Sequence, residues 1–161
     1  MTSAVRAANG TDVNAIRELF REYQKNIGVD LCFQGFEQEL SGLPGEYAPP
    51  RGQLLLAETA GELAGCVALR PLSETICEMK RLYVRPPFRR AHLGKRLAAA
   101  IIDEARSIGY EAIRLDTLPS MKEAAALYRS LGFKSIPAYG SKALAGTLFF
   151  ELGLLPGPLL D

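Results

Sequence analysis

The sequence predicts an α+β (mixed α/β) domain in which helices cover both faces of a mixed sheet. The early strands form antiparallel hairpins, whereas the later strands alternate with helices, in the order βααββ-β-loop-αβαβ-β. Strand-like periodicity begins at Gln53, and helical periodicity is clearest from Leu93 to Ile108. With 161 residues, 48% of them hydrophobic, the chain has the size and apolar content of one domain.

The first fifty residues predict a short strand, two helices and a loop. The segment from Ala4 to Ala8 leans apolar, and Thr11 and Asp12 after it supply the N-cap of a helix that ends at Gly28. A weaker helical pattern runs from Phe33 to Leu40, and a Pro- and Gly-rich loop follows. The apolar stripe of the first helix consists of Val13, Ile16, Phe20, Tyr23 and Ile27.

Three strands are predicted next. The segments QLLLAET and ELAGCVALR flank Ala60-Gly61, which is typical of a β-hairpin, and their near-continuous apolarity indicates burial on both faces. The segment ICEMKRLYV, from Ile76 to Val84, predicts a third strand. Its charged residues, Glu78, Lys80 and Arg81, are unusual for a central strand.

The second half alternates helices and strands. An amphipathic helix from Leu93 to Ile108 ends at Gly109, and EAIRLDT then predicts a strand. The segment MKEAAALYRSLG predicts a helix, followed by strands at Phe133 to Ile136 and at GTLFFEL. The Pro-rich tail from Leu155 to Asp161 is expected to fray.

Charge and cysteine content narrow the class of protein. The net charge of +1 favours neither a nucleic-acid-binding nor a membrane-surface protein. The three cysteines match neither a disulfide framework nor a zinc site, and no metal site is predicted. Without a secretion signal or an apolar run of membrane-spanning length, the protein is expected to be soluble and cytoplasmic.

The basic charge is concentrated in one stretch, VRPPFRRAHLGKRLAAAII, from Val84 to Ile102. A loop that leaves a strand and starts a helix presents unpaired backbone N–H groups at the positive end of the helix dipole. Arg89, Arg90, Lys95 and Arg96 surround that turn. The stretch therefore predicts a binding site for a phosphate-bearing, nucleotide-like cofactor.

The pattern of this loop excludes two common phosphate-binding motifs. The P-loop fails because Arg96 follows Gly94-Lys95 and Arg89 replaces the first glycine, and GxGxxG is absent. Residues 89–94, with Val84 before them, instead resemble the acyl-CoA loop of the GNAT superfamily of N-acyltransferases. His92 takes the place of a glycine, and His is one of the non-glycine residues better tolerated at positive φ.

A second motif strengthens this resemblance, which covers roughly Gln53 to Phe150. The family pattern Ala-x-x-Leu-Tyr-x-x-x-Gly-Phe is present without substitution, whereas Met121 stands where many members have an asparagine. The matching residues are Ala124, Leu127, Tyr128, Gly132 and Phe133.

The resemblance implies a fold, a cofactor and a set of cofactor-binding residues. The fold is a GNAT-like mixed, mostly antiparallel sheet of six or seven strands with a splayed central parallel pair, and the cofactor is acetyl-CoA. Main-chain groups near the end of the third strand of the core would pair with the pantetheine arm, and the basic loop would hold the phosphates. The implied residues are Leu82, Tyr83, Val84, Arg89, Arg90, Ala91, His92, Leu93, Gly94, Lys95 and Ala124.

The implied reaction is transfer of an acetyl group to an amine by direct attack in a ternary complex. Tyr128 would protonate the departing thiolate, or it is simply a core aromatic residue. Glu78 would act as the base, or it is a strand glutamate paired with Lys80 or Arg81. Strand alternation places Glu78 on the face of Leu82 and Val84 unless a bulge intervenes.

Several alternatives and assignments stay open at this point. A non-catalytic acyl-CoA-binding regulatory domain would keep the fold without turnover, and binding of RRAHLGKR to nucleic acid would require a wider basic surface. A nucleophilic Cys77 would require a thiol that is not simply packed in a strand. Residues 1–52 are expected to form the substrate side, 53–153 the cofactor-binding core and 154–161 a tail of one acetyltransferase domain.

The acceptor is expected to be an amine of a small molecule or peptide. Separately, many members of the GNAT superfamily form homodimers. Asp116 and Thr117 end a strand beside the predicted cleft and are candidates for contact with the acceptor. If the acceptor carries a carboxylate, Arg51 or Arg70 would meet it.

Overall fold

A computed structural model describes residues 2–28, 35–89, 91–139 and 145–154. Seven strands form one sheet in the order β1-β2-β3-β4-β5-β7-β6, in which β4 and β5 are the one parallel pair among the described residues. The predicted α+β class and the mostly antiparallel sheet are confirmed. The strands are β1 (Ser3–Ala7), β2 (Gln53–Thr59), β3 (Glu62–Pro71), β4 (Ile76–Val84), β5 (Ala112–Thr117), β6 (Lys134–Ser135) and β7 (Leu148–Gly153).

Helices cover both faces of this sheet, as the sequence predicted. They are α1 (Val13–Ile27), α2 (Phe36–Ser41), α3 (Leu93–Ile108) and α4 (Lys122–Ser130). The apolar residues of α1 and α2 form one core with β2, β3 and Tyr83, whereas α3 and α4 form the other core on the opposite face. We call these the α1 face and the α3 face of the sheet.

Helix ends follow the signals in the sequence. Gly28 and Gly109 both adopt the left-handed conformation and end α1 and α3, as predicted, because glycine reaches positive φ without a Cβ clash. Helix α2 begins at Phe36, and the predicted start at Phe33 lies outside the described residues. The predicted tail, residues 155–161, also lies outside them.

Gly65 in β3 marks the closest approach between two strands of the core. Gly65 pairs with Val84 of β4, and Leu97 of α3 packs on the same spot. An ideal Cβ on Gly65 would overlap the carbonyl oxygen of Tyr83 and lie 3.3 Å from Leu97 Cδ1. A backbone oxygen in a sheet has little room to move, so the site accepts no side chain without displacing β4.

Gly65→Ala is therefore expected to lower the free energy of unfolding by roughly 1–3 kcal/mol, the range for overpacking a core. Gly153→Ala in β7 is the matched control, because a Cβ there meets no atom within 4 Å. Urea denaturation of both variants measures the difference. Equal stabilities of the two variants would contradict the close approach at Gly65.

Candidate active site

Strands β4 and β5 part in the middle of the sheet. They pair at Ile76–Ala112, Cys77–Ile113 and Glu78–Arg114, and beyond Glu78 no described residue continues the ladder. The predicted splayed parallel pair is thereby confirmed. We call the resulting gap the slot. It is lined by Tyr23, Met79, Lys80, Arg81, Leu82, Leu115, Asp116, Thr117, Met121 and Tyr128.

A β-bulge bends β4 beside the slot. Arg81 and Leu82 together oppose the single residue Val67 of β3, and Arg81 has a φ of +60°. A non-glycine residue in this region costs roughly 1–2 kcal/mol, so other contacts must hold it. The side chain of Arg81 is 4% exposed and donates to both carboxylate oxygens of Glu39, at 2.8 and 3.1 Å.

Because of the bulge, the side chain of Glu78 lies on the opposite face of the sheet from Leu82 and Val84. Cys77 and Met79 pack in the α3-face core before the bulge, and Leu82 and Val84 pack against the same core after it. Glu78 therefore lies on the α1 face, opposite Leu82 and Val84. The same-face placement predicted from simple alternation is wrong, because the bulge inserts one residue into β4.

A surface cleft of about 460 Å³ continues from the slot toward the start of α3. The slot and the cleft share Tyr23, Leu82 and Met121, so they form one path. The other residues along the cleft are Asn26, Ile27, Tyr83, Val84, Arg89, Ser120, Lys122, Glu123 and Ala124. Ala124, which the resemblance assigns to the cofactor site, is one of the residues that line this cleft.

The main chain of β4 presents hydrogen-bonding groups to this path. The N–H of Arg85 donates to the carbonyl of Ala64 in β3 at 2.7 Å, and strand alternation then turns the groups of Leu82 and Val84 away from β3. The Val84 carbonyl accepts from Nε of Arg89 at 2.9 Å, which agrees with this direction. Main-chain groups of Leu82 and Val84 therefore face the opening between the strands.

The start of α3 lies at the far end of the cleft. His92 is its N-cap with a φ of +55°, so the chain makes the tight turn that the family usually makes with glycine. Within the described part of the chain, the N–H groups of Leu93, Gly94 and Lys95 donate to no acceptor. These N–H groups form the positive end of the helix dipole.

The basic side chains around the turn separate into two groups. Arg89 and Lys95 are exposed, whereas Arg96 donates to the carbonyl of Ser3 at 3.0 Å and turns toward β1. Arg90 lies outside the described residues. The turn therefore combines free main-chain donors with Arg89 and Lys95, an arrangement that suits an anion such as a diphosphate.

The remaining predicted loop residues contribute in different ways. Ala91 and His92 are exposed at the turn, and Gly94 faces Val84 and Leu127. The side chain of Leu93 is fully buried in the α3-face core, so its main-chain N–H alone is available to a ligand.

Tyr128 places a phenol at the inner end of the slot. The residue is 6% exposed, and its ring packs against Phe133 and Phe150 with centroids 5.8 and 6.3 Å away. Its hydroxyl makes no hydrogen bond to any described residue, and burial raises the pKa of Tyr128 well above its usual value. The side chain is thus both a core aromatic residue and a protonated O–H donor without a protein acceptor in the described chain.

Glu78 is already engaged by two side chains. It is 2% exposed, Arg70 donates to Oε1 at 2.8 Å, and the Tyr139 hydroxyl donates to Oε2 at 2.7 Å. Of the two partners expected from sequence, Lys80 lies 3.9 Å from Oε1 and Arg81 pairs elsewhere. Two nitrogens of Arg70 lie 2.8 Å from Oε1, whereas Oε2 accepts a hydrogen bond from Tyr139 alone in the described chain and keeps a second lone pair.

The described cysteines are poor candidates for a nucleophile. Cys66 and Cys77 are buried, and burial raises the pKa of each thiol to about 12. A thiol with such a pKa is almost entirely protonated at neutral pH, whereas the nucleophile is the thiolate. Cys32 lies outside the described residues.

Lys80 and Tyr23 were not selected from the sequence as site residues, yet both line the slot. Lys80 could have been noticed as a charged residue in a central strand. Tyr23 could not be distinguished by sequence from the other residues on the apolar face of α1. Asp116 and Thr117 line the slot as the sequence suggested. Arg51, suggested for an acceptor carboxylate, donates to the carbonyls of Ser73 and Glu74 instead.

Comparison with known proteins agrees with this geometry. The sequence pattern described as "Acetyltransferase (GNAT) family" matches residues 13–133. The chain belongs to the GNAT family of acetyltransferases. An uncharacterized N-acetyltransferase of Schizosaccharomyces pombe is 38% identical to it over 143 residues, covering 88% of each chain.

Two further comparisons describe the breadth of this GNAT relationship. An aminoalkylphosphonate N-acetyltransferase of Salmonella typhimurium is 29% identical over 145 residues, covering 87% of this chain and 90% of that one. The crystal structure of a GNAT-family acetyltransferase from Staphylococcus aureus shares the fold with a TM-score of 0.81 at 22% identity, covering 96% and 100%.

Membership of the GNAT family makes the protein an acyl-CoA-dependent acetyltransferase, and acetyl-CoA is the family's acetyl donor. Among residues 2–28, 35–89, 91–139 and 145–154, no helix is long and apolar enough to cross a membrane.

Proposed function

We propose that this GNAT acetyltransferase moves the acetyl group of acetyl-CoA to a primary amine of a small molecule or peptide, by direct attack in a ternary complex. The observation that carries the proposal is the buried Tyr128 hydroxyl, which has no acceptor among the described residues and borders the slot. The slot continues through the cleft to Arg89, which precedes the N-cap of α3 by three residues.

The hydrogen-bonding and charged groups along the path match successive chemical groups of coenzyme A. Free N–H groups of Leu93, Gly94 and Lys95 and the exposed Arg89 suit the diphosphate. The outward main-chain groups of Leu82 and Val84 suit the amides of the pantetheine arm, as though an extra strand were added. Arg90, Ala91, His92, Tyr83 and Ala124 complete the proposed cofactor site.

Acetyl-CoA supplies a thioester, and the reaction forms a C–N bond to the acceptor amine while the C–S bond breaks. Tyr128 is proposed to donate its phenolic proton to the departing sulfur. Its raised pKa keeps that proton in place at neutral pH until the thiolate develops. The rings of Phe133 and Phe150 fix the direction of the phenol.

Glu78 is proposed to take the proton that the acceptor ammonium must lose, through a water. Arg70 and Tyr139 each occupy one oxygen of the carboxylate and hold it in one orientation. The second lone pair of Oε2 is the proposed position to which a water relays the proton.

The acceptor is proposed to approach from the α1 face, where residues 1–52 supply α1 and α2. Tyr23 of α1 lines the slot on that side. The S. typhimurium relative is named for an amine of small size, which supports a small-molecule acceptor for this chain as well.

Tyr128→Phe is expected to lower kcat by roughly 10- to 1000-fold, because general acid catalysis contributes factors of this order. The variant keeps the ring contacts with Phe133 and Phe150, so stability and coenzyme A affinity should change little. Release of coenzyme A with a panel of amines measures turnover, and calorimetry measures binding.

Wild-type turnover by Tyr128→Phe would remove the phenol from the mechanism. Binding of acetyl-CoA by the wild-type protein without release of coenzyme A on any amine would instead indicate the non-catalytic regulatory domain.

Glu78→Gln is expected to lower kcat/KM by roughly 100- to 10,000-fold and to change the pH–rate profile, because general base catalysis contributes factors of this order. Glu46→Gln is the matched control, since Glu46 also pairs with Arg70 at 2.8 Å but its side chain is 65% exposed, against 3% for Glu78. An unchanged pH–rate profile for Glu78→Gln would exclude Glu78 as the base and leave it an ion-paired strand residue.

A further inference from the structure

Lys80 and Asp116 occupy equivalent positions on the two strands that form the slot. The last paired residues are Glu78 of β4 and Arg114 of β5, and Lys80 and Asp116 each lie two residues farther along. Strand alternation places both side chains on the α1 face, where the acceptor is proposed to enter. They thus lie on opposite sides of the mouth of the slot.

The ammonium group of Lys80 is buried without a hydrogen bond in the described chain. Its side chain is 9% exposed, and its nearest carboxylate oxygen is Oε1 of Glu78 at 3.9 Å, beyond hydrogen-bond distance. Arg70 and Tyr139 already occupy that carboxylate. Burial lowers the pKa of Lys80, although the charges of Glu78 and Asp116 oppose this shift.

The carboxylate of Asp116, on the facing strand, is half-buried. It forms no hydrogen bond or ion pair with a described residue, whereas Arg114, on the same face of β5, pairs with Glu151 at 2.7 Å. Lys80 and Asp116 form no ion pair with each other. The divergence of the strands separates them.

The other slot-lining charge on this face is satisfied within the protein. Arg81 donates two hydrogen bonds to Glu39 and lies over the rings of Tyr23 and Phe36 at 5.7 and 5.3 Å. Arg81 therefore already has a carboxylate partner within the protein. Lys80 has only a long ion-pair contact with Glu78, at 3.9 Å, and the half-buried Asp116 has no ion pair in the described chain, so both side chains can bind a further charged group.

We propose that the acceptor is an amine that also carries an anionic group, with its ammonium facing Asp116 and its carboxylate or phosphonate bound by Lys80. This inference rests on the proposed acetyl transfer to an amine and specifies its substrate class. A zwitterion of this kind supplies the missing partner to both side chains at once and bridges the gap between the strands. An alkylamine without an anionic group pairs with Asp116 but offers the Lys80 ammonium no hydrogen-bond acceptor.

The test compares matched acceptors in wild-type protein and in Lys80→Met, which keeps the length of the side chain and removes its charge. The pairs are β-alanine with β-alaninamide and 2-aminoethylphosphonate with propylamine, which also separates carboxylate from phosphonate. We expect the wild-type preference in kcat/KM for the anionic member to fall about 10- to 100-fold in Lys80→Met, mainly through KM, as for loss of a charge-assisted hydrogen bond.

Two further variants separate binding from folding. Asp116→Asn should raise KM for both members of each pair, because both carry the ammonium. Lys134→Met, at an exposed position of β6, should leave the preference unchanged. Coenzyme A should bind Lys80→Met with wild-type affinity, which shows that the variant is folded.

Titration of the anionic amines into the complex with coenzyme A gives a readout that needs no turnover. Lys80-dependent binding without acetylation of any amine would support the anion site and overturn the proposed function. Acetylation without a preference for anionic amines, or with the same preference in Lys80→Met, would overturn this inference and leave the proposed function standing. Neither binding nor acetylation would overturn both.

Discussion

The site depends on one constraint, which is that β4 must leave β5 while staying paired to β3. A regular parallel ladder would fill the space between β4 and β5 with hydrogen bonds and leave no opening. The bulge at Arg81 bends β4 at this point, and the left-handed backbone of Arg81 is held by Glu39, a residue of the α1 face. A buried ion pair between a strand and a distant helix therefore maintains the geometry of the opening, and α2 serves the site although it does not line it.

The opening divides the site between the two faces of the sheet. Tyr128 comes from the α3 face, where the ring packs in an apolar core and only the hydroxyl is left without a partner. Lys80 and Asp116 come from the α1 face, where charged side chains concentrate. The proposed proton donor is thus separated from the proposed acceptor groups by the sheet itself, and the slot is the passage between them. This separation lets the departing thiolate and the attacking amine meet different electrostatic environments.

The sequence predicted those features of the fold that neighbouring residues determine. The bounds of β4 and α3, the glycine stops at Gly28 and Gly109, and the positive φ of His92 were confirmed, because each follows from neighbouring residues. The sequence left open whether a bulge interrupts β4, since no glycine marks position 81 and Glu39, far away in sequence, stabilises that backbone. The placement of Lys80 opposite Asp116 across the slot was hidden, because it depends on the register between two strands that are separated by α3. Tyr128 was found through a motif, but only the structure shows that its hydroxyl lacks a partner within the described chain.

The central claim is that the opening between β4 and β5, continued to the start of α3, is where coenzyme A binds. Assigned ¹H–¹⁵N spectra recorded with increasing coenzyme A test it most directly, because they report on main-chain N–H groups one residue at a time. The account predicts that the largest shifts fall on Leu82, Val84, Gly94 and Lys95, with β1 unchanged. Saturable binding that leaves these four amides unmoved and shifts residues elsewhere would contradict it.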